Sequence, residues 1–125
     1  MPTIMLIMHR KAIVESLMNR LRHRPYIRLI YEPDYDNANA AIRSYDANVA
    51  LIEATESGHY DIVYCLTLCK SLREDSPRCK LLLMCSEQDE KSVKKVVDAK
   101  AKKQIDDFVF YDVTIDYLAS KLITI

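Results

Sequence analysis
Thr3 to Met8, Ile27 to Tyr31, Asn48 to Ile52, Leu81 to Cys85 and Phe108 to Tyr111 are short, mostly apolar runs, each followed by a longer stretch whose apolar residues recur at helical spacing. No other feature limits the fold as much. Runs of this length are strands, and strands alternating with helices read as consecutive strand–helix units. Parallel strands joined in this way carry helices on both faces of the sheet. Leu81 to Met84 is apolar at every position, as a central strand buried on both sides requires. The expectation is one α/β domain over residues 1–125, a doubly wound five-stranded parallel sheet with helices on both faces.

The helical stretches carry their own boundary signals. Ile13, Val14, Leu17, Met18 and Leu21 form the one-sided pattern of a first helix, closed by Pro25. Pro33-Asp34-Tyr35-Asp36 opens a second helix, with Ala38, Ala41, Ile42 and Tyr45 on its core face. Ile62, Cys65, Leu66, Cys69 and Leu72 mark a third, with Asp61 or Ser57 as N-cap. Ser86, with Asp89 downstream, approximates a capping box for a fourth helix that faces the core through Val93, Val96, Val97 and Ala101. Ile115, Leu118 and Leu122 mark a closing helix.

Composition removes several functions. Lys and Arg number 18 and Asp and Glu 18, so no overall charge draws the chain to nucleic acid or to an anionic membrane. The apolar runs are far shorter than a membrane span. Met1-Pro2-Thr3 lacks the start of a secretory signal, and the expected location is the cytoplasm. The 4 cysteines show no CxxC or Cys/His ligand spacing, which favours buried core thiols over disulfides, metal or redox chemistry. Gly58 is the sole glycine, so the glycine loops that let a backbone approach phosphates, Walker A or GxGxxG, are absent.

Two run ends carry charges of opposite sign. Ile4 to Met8 leads directly into His9-Arg10-Lys11, and Val49 to Ile52 leads directly into Glu53. Placed on neighbouring parallel strands, these cations and this carboxylate meet at the carboxyl edge of the sheet, where open α/β folds bind ligands.

Ala50-Leu51-Ile52-Glu53 resembles the third-strand run that ends in the phospho-accepting aspartate of response-regulator receiver domains. Ile105-Asp106-Asp107-Phe108-Val109-Phe110 resembles the segment entering their fifth strand, and Tyr60-Asp61-Ile62 through Leu72-Arg73 their third helix. The resemblance covers essentially the whole chain and implies a flavodoxin-like strand order of 2-1-3-4-5. It also implies a role in two-component phosphorelay signalling.

The functional positions that the resemblance assigns depart from the family. The acidic pair that holds Mg²⁺ falls on His9 and Arg10, two residues that do not suit a hard dication. The acceptor position is Glu53, one methylene longer than aspartate. The hydroxyl position falls on Cys85 or Ser86, the lysine on Tyr111, and the switch aromatic on Phe108. Phosphoryl transfer is almost entirely positioning and charge neutralisation, so the expectation is a pseudo-receiver. It has no catalytic residue, no metal or other cofactor, and no response to a histidine kinase.

Three readings of Glu53 stay open: an ion pair with Arg10 or His9, a mimic of phospho-aspartate, or a carboxylate exposed to solvent. The alternative functions are an atypical but phosphorylatable receiver and a flavodoxin-like small-anion binder using His9-Arg10-Lys11 at a helix N-terminus. The expected partners are proteins of signalling or transcription control, without direct nucleic acid or membrane contact. The resemblance implies contacts through helix 4, strand 5 and helix 5, and there Lys94, Lys95, Asp106 and Asp107 mark a candidate homodimer face, where lysines of one copy would meet aspartates of the other.

Overall fold
Five strands lie parallel in the order β2-β1-β3-β4-β5, in a computed structural model that describes residues 2–125. They are β1 (Thr3–Ile7), β2 (Arg28–Glu32), β3 (Val49–Glu53), β4 (Lys80–Cys85) and β5 (Asp107–Phe110). The centre and the edges of the sheet differ as their residues do. β1 and β3 are buried at every position and β4 at all but Lys80, whereas β2 and β5 are only partly covered. Burying an aliphatic side chain contributes about 1.5–3 kcal/mol, which draws the uninterrupted runs to the centre and leaves Arg28 at an edge.

Side chains of a strand alternate between faces, and the alternation divides the core in two. Met5, Ile7, Ala50, Ile52, Leu81 and Leu83 pack beneath α2 (Ala38–Tyr45), α3 (Ile62–Asp75) and α4 (Glu90–Ala101). Ile4, Leu6, Val49, Leu51, Leu82 and Met84 pack beneath α1 (Lys11–Leu21) and α5 (Ile115–Thr124). In register, Ile52 lies opposite Ile7, and Glu53 opposite Met84. Glu53 therefore stands level with the residues leaving β1.

The expected elements all form, with local differences. Tyr35–Asn37 is a separate 3₁₀ turn before α2, capped by Asp34, which accepts from the Asp36 N–H at 3.0 Å. Tyr45, expected in the core, is exposed and its ring lies against the Arg28 guanidinium. Asp61 rather than Ser57 caps α3, accepting from Tyr64 N at 3.0 Å. The face of α4 is rotated from the expected one: Ser92, Val96 and Ala99 are buried, and Val97 is 51% exposed. Ser92 tolerates burial because its hydroxyl donates to Asp89 Oδ2 at 2.6 Å.

With one glycine in the chain, helix ends fall on other residues. Asp46 and Lys103 adopt the left-handed conformation after α2 and α4, at φ of 50° and 61°. Asp46 N donates to the Ile42 and Arg43 carbonyls, capping α2. The four cysteines are free and buried. Among the described residues, no helix is long and apolar enough to cross a membrane.

Candidate functional site
The carboxyl ends of β1 and β3 bring one carboxylate and one guanidinium together. Glu53 ends β3 with only 1% of its surface exposed. Its Oε1 accepts from the His9 backbone N–H at 2.8 Å, and its Oε2 from Arg10 Nε at 2.9 Å. The exposed reading of Glu53 is thereby overturned. Taking a carboxylate out of water costs several kcal/mol, recovered only when hydrogen bonds and an opposite charge replace the water.

Local structure explains why Arg10 can reach. It holds the N-cap position of α1 yet makes no side-chain cap bond, while its carbonyl accepts from Ile13 and Val14. The side chain is left to extend along the sheet edge. It lands on the Tyr111 ring, with the guanidinium carbon 3.8 Å from the ring centroid, a contact worth about 0.5–1 kcal/mol at a partly exposed site.

Tyr111, just past β5, closes the site from the other side. Its hydroxyl lies 2.7 Å from the Ala54 carbonyl and 3.2 Å from Glu53 Oε2. One phenolic proton serves both, and the shorter bond to Ala54 is the stronger. Burial, reinforced by the Glu53 charge, pushes the Tyr111 pKa upward, so the phenol remains a donor.

His9 contributes through its backbone, and its ring turns away. Nε2 lies 3.0 Å from the Pro33 carbonyl, and the ring packs edge-on against Tyr35 and Tyr60. Tyr35 and Tyr60 stack at 4.1 Å. The buried Tyr35 hydroxyl donates to the Glu53 carbonyl at 2.6 Å, fixing the end of β3. Tyr35 and Tyr60 belong to the site although nothing in the sequence assigned them there. The available signal was aromatic residues in two loops that the topology carries to one edge.

The remaining family positions separate. Strand alternation puts Met84 on the Glu53 side and Cys85 on the opposite one, beneath the helix layer of α2, α3 and α4. Burial raises the Cys85 thiol to about 11, which keeps it protonated and unreactive. Ser86 Oγ accepts from Gln88 N at 3.2 Å and bonds to none of Glu53, Arg10 or Tyr111 among the described residues. Phe108 is half-buried, 5.6 Å from Phe110.

The expected lysine–aspartate face is corrected in one respect. Asp106 takes Arg73 at 2.9 Å and the Leu81 N–H at 2.8 Å, while Asp107 pairs with Lys100 and Lys121. Both aspartates are engaged within the chain, whereas Lys94 and Lys95 have no ion pair among the described residues.

A magnesium ion of the receiver type does not fit these residues. A hard dication needs several oxygen ligands. Here the neighbouring positions supply a backbone N–H and a guanidinium, and both Glu53 oxygens already hold these donors. No group of three or more metal-ligating side chains occurs among the described residues.

No family model matches this sequence, and no curated protein matches it. Solved structures do resemble the fold. An adenylate cyclase from Rhodopirellula baltica superposes with a TM-score of 0.79 at 16% identity, over 96% of this chain and 83% of that one. A two-component response regulator from Clostridium difficile gives 0.75 at 19% identity, over 97% and 92%. The receiver domain of Francisella response regulator 1452 gives 0.74 at 16% identity, over 98% and 93%. With its strand order and five helices, this chain has the flavodoxin-like fold of response-regulator receiver domains.

Proposed function
We propose that this domain is a receiver-like module of two-component signalling that works through protein contacts and takes neither magnesium nor a phosphoryl group. One observation carries the proposal: the Arg10 guanidinium sits on Glu53, the position matching the phospho-acceptor, with the His9 N–H on the other oxygen. A fixed positive charge thus does the neutralising that a metal ion does in phosphoryl transfer. The Arg10 and Tyr111 side chains also fill the approach to the carboxylate. The four free thiols suit the reducing cytoplasm. The module carries out no chemistry of its own.

Its contacts run through α4, β5 and α5. Val97 and Tyr117 are 51% and 50% exposed on the two helices. Each lies a turn from a lysine, Lys100 or Lys121, that pairs with Asp107 on β5. Lys94 lies one turn before Asp98 on the exposed side of α4. With Asp106 and Asp107 engaged internally, an apolar centre rimmed by lysines replaces lysine–aspartate exchange as the basis of any pairing between copies.

The test is calorimetric titration with Mg²⁺ and with beryllofluoride, beside intact-mass measurement after incubation in acetyl phosphate. The expected result is no saturable heat and no added mass. Saturable magnesium uptake, or phosphoryl incorporation abolished by Glu53→Gln, overturns the proposal.

A further inference from the structure
We propose that the amino edge of the sheet, opposite the Glu53 site, is a docking groove for an acidic amphipathic segment of a partner protein. The sequence is one-sided here. From Ser16 to Tyr31 the chain has Arg20, Arg22, Arg24 and Arg28 and no carboxylate, although the whole chain is neutral. The turn between α1 and β2 carries two of these four, Arg22 and Arg24, and all of Arg22, His23, Arg24, Pro25 and Tyr26 are exposed, Tyr26 by 78%.

Beside that turn lies a groove of about 340 Å³. Its floor is aliphatic, built from Ile4, Ile27, Val49, Leu122 and Ile123, and its lining includes Arg78 and Lys80 and no acidic residue. A second hollow, of about 220 Å³, shares Ile27 with it and brings in Arg22 and Arg24, again without an acidic side chain. Cations therefore line both of two apolar hollows that meet at Ile27.

These cations are free to act on a partner. Arg22, Arg24 and Arg78 form no ion pair among the described residues. Arg22 Nε reaches only the neighbouring His23 ring at 3.3 Å. Lys80 is 3.8 Å from Asp106, the longest ion pair among the described residues. Arg20, in the last turn of α1, differs from these loop arginines in holding Asp116 at 2.6 Å.

The chemistry selects the occupant. Guanidinium groups bind carboxylates in bidentate fashion, and an aliphatic floor accepts leucine-like side chains of an amphipathic segment. Single-stranded nucleic acid asks instead for aromatic platforms along a continuous basic track. Tyr26 is the one aromatic residue on this turn, and the groove floor has none.

The test uses the whole chain and a fluorescein-labelled peptide of leucine and glutamate, patterned as an amphipathic helix, with anisotropy as the readout. Controls are the same peptide with lysine for glutamate, labelled oligouridine, and phosphatidylserine vesicles. Saturable binding of the leucine–glutamate peptide alone is expected, weakening with salt. The R24E/R78E double variant should lower its affinity about tenfold or more. Both residues are exposed, so an unchanged circular dichroism spectrum should accompany that loss. Ile123→Asp, at a 39% exposed floor position, should lower it by a similar factor.

Absence of peptide binding overturns the proposal. So do equal binding by R24E/R78E and tighter binding of oligouridine or vesicles. Concentration-dependent self-association that Ile123→Asp abolishes would assign the groove to a second copy and overturn it too. The magnesium and acetyl phosphate experiments do not touch this edge, so either proposal can fail alone.

Discussion

At the carboxyl edge of the sheet, Arg10 lies on a buried carboxylate and stacks on Tyr111. At the amino edge, Arg22, Arg24 and Arg78 project from loops and meet no acidic partner among the described residues. The two edges use the same side chain under opposite constraints. A carboxylate that folding forces out of water demands a counter-charge from inside the chain. Loop arginines in water carry no such demand, and their charge stays available to something else. Equal numbers of acidic and basic residues therefore say little about either edge, because pairing is decided locally.

Removing Arg10 should break this comparison most sharply. Arg10→Ala leaves Glu53 with its backbone donor and a shared phenol, and should cost about 2–3 kcal/mol in urea unfolding. Water admitted where the half-exposed arginine lay keeps the loss below that of a fully enclosed pair. Glu53→Gln in the same background should restore about half of it. A loss under about 0.5 kcal/mol, the usual scatter of surface substitutions, would mean that the pair carries no weight.

The phenols that frame the site come next. Tyr35→Phe deletes a buried 2.6 Å bond to the Glu53 carbonyl and should cost about 1–2 kcal/mol, seen as a lowered denaturation midpoint. Tyr111→Phe keeps the ring beneath Arg10 and should cost about 1 kcal/mol. An equal loss from Tyr111→Phe and Tyr111→Ala would deny the stacking contact any contribution.

Asp107 offers a pH test at the proposed contact face. Burial opposes its charge, but hydrogen bonds from Lys121 and Lys100 outweigh it and hold the carboxyl below the usual range. A lowered folded pKa gives stability that is complete above the unfolded value, about pH 4, and is lost as pH falls through the folded one. Asp107→Asn should remove that acid-side loss while costing about 1 kcal/mol or less at neutral pH. The hydrogen bond from Lys121 to Asp107 raises the lysine pKa against the opposing effect of burial, so the same pair weakens again only at strongly alkaline pH, as the lysine deprotonates. An acid unfolding limb unchanged by Asp107→Asn would discount the pair.

The smallest effect belongs to the amino edge. Arg22→Ala and Arg24→Ala should each leave stability within about 0.5 kcal/mol of the parent in the same urea experiment. Destabilisation on the scale of Arg10→Ala would reveal a structural partner for these side chains and erase the contrast between the edges.

Much of this was legible in the residues. Continuous apolar runs at strand length, separated by stretches of helical period, determined the parallel sheet with helices on both faces, because a central strand can hide both of its faces only that way. The run ending in Glu53 and the run ending in His9-Arg10 also placed opposite charges at one edge, since parallel strands deliver their carboxyl ends together. The α4 face was not legible. Val96 and Val97 are alike in the sequence, and adjacent helix positions can both be buried, as Ala41 and Ile42 are, so only packing shows that Val96 is buried and Val97 exposed.

Tertiary structure alone decided which group meets which. Rotation about a few side-chain bonds sent the His9 ring to Pro33, Tyr35 and Tyr60 and left its backbone N–H on Glu53, a choice that composition and spacing do not encode. Asp106 and Asp107 read as a free acidic pair until packing brought Arg73, Lys100 and Lys121 onto them. Periodicity reports which residues leave water, because burial depends on one chain segment at a time. Pairing depends on where distant segments come to rest, and that is settled only when the sheet is assembled.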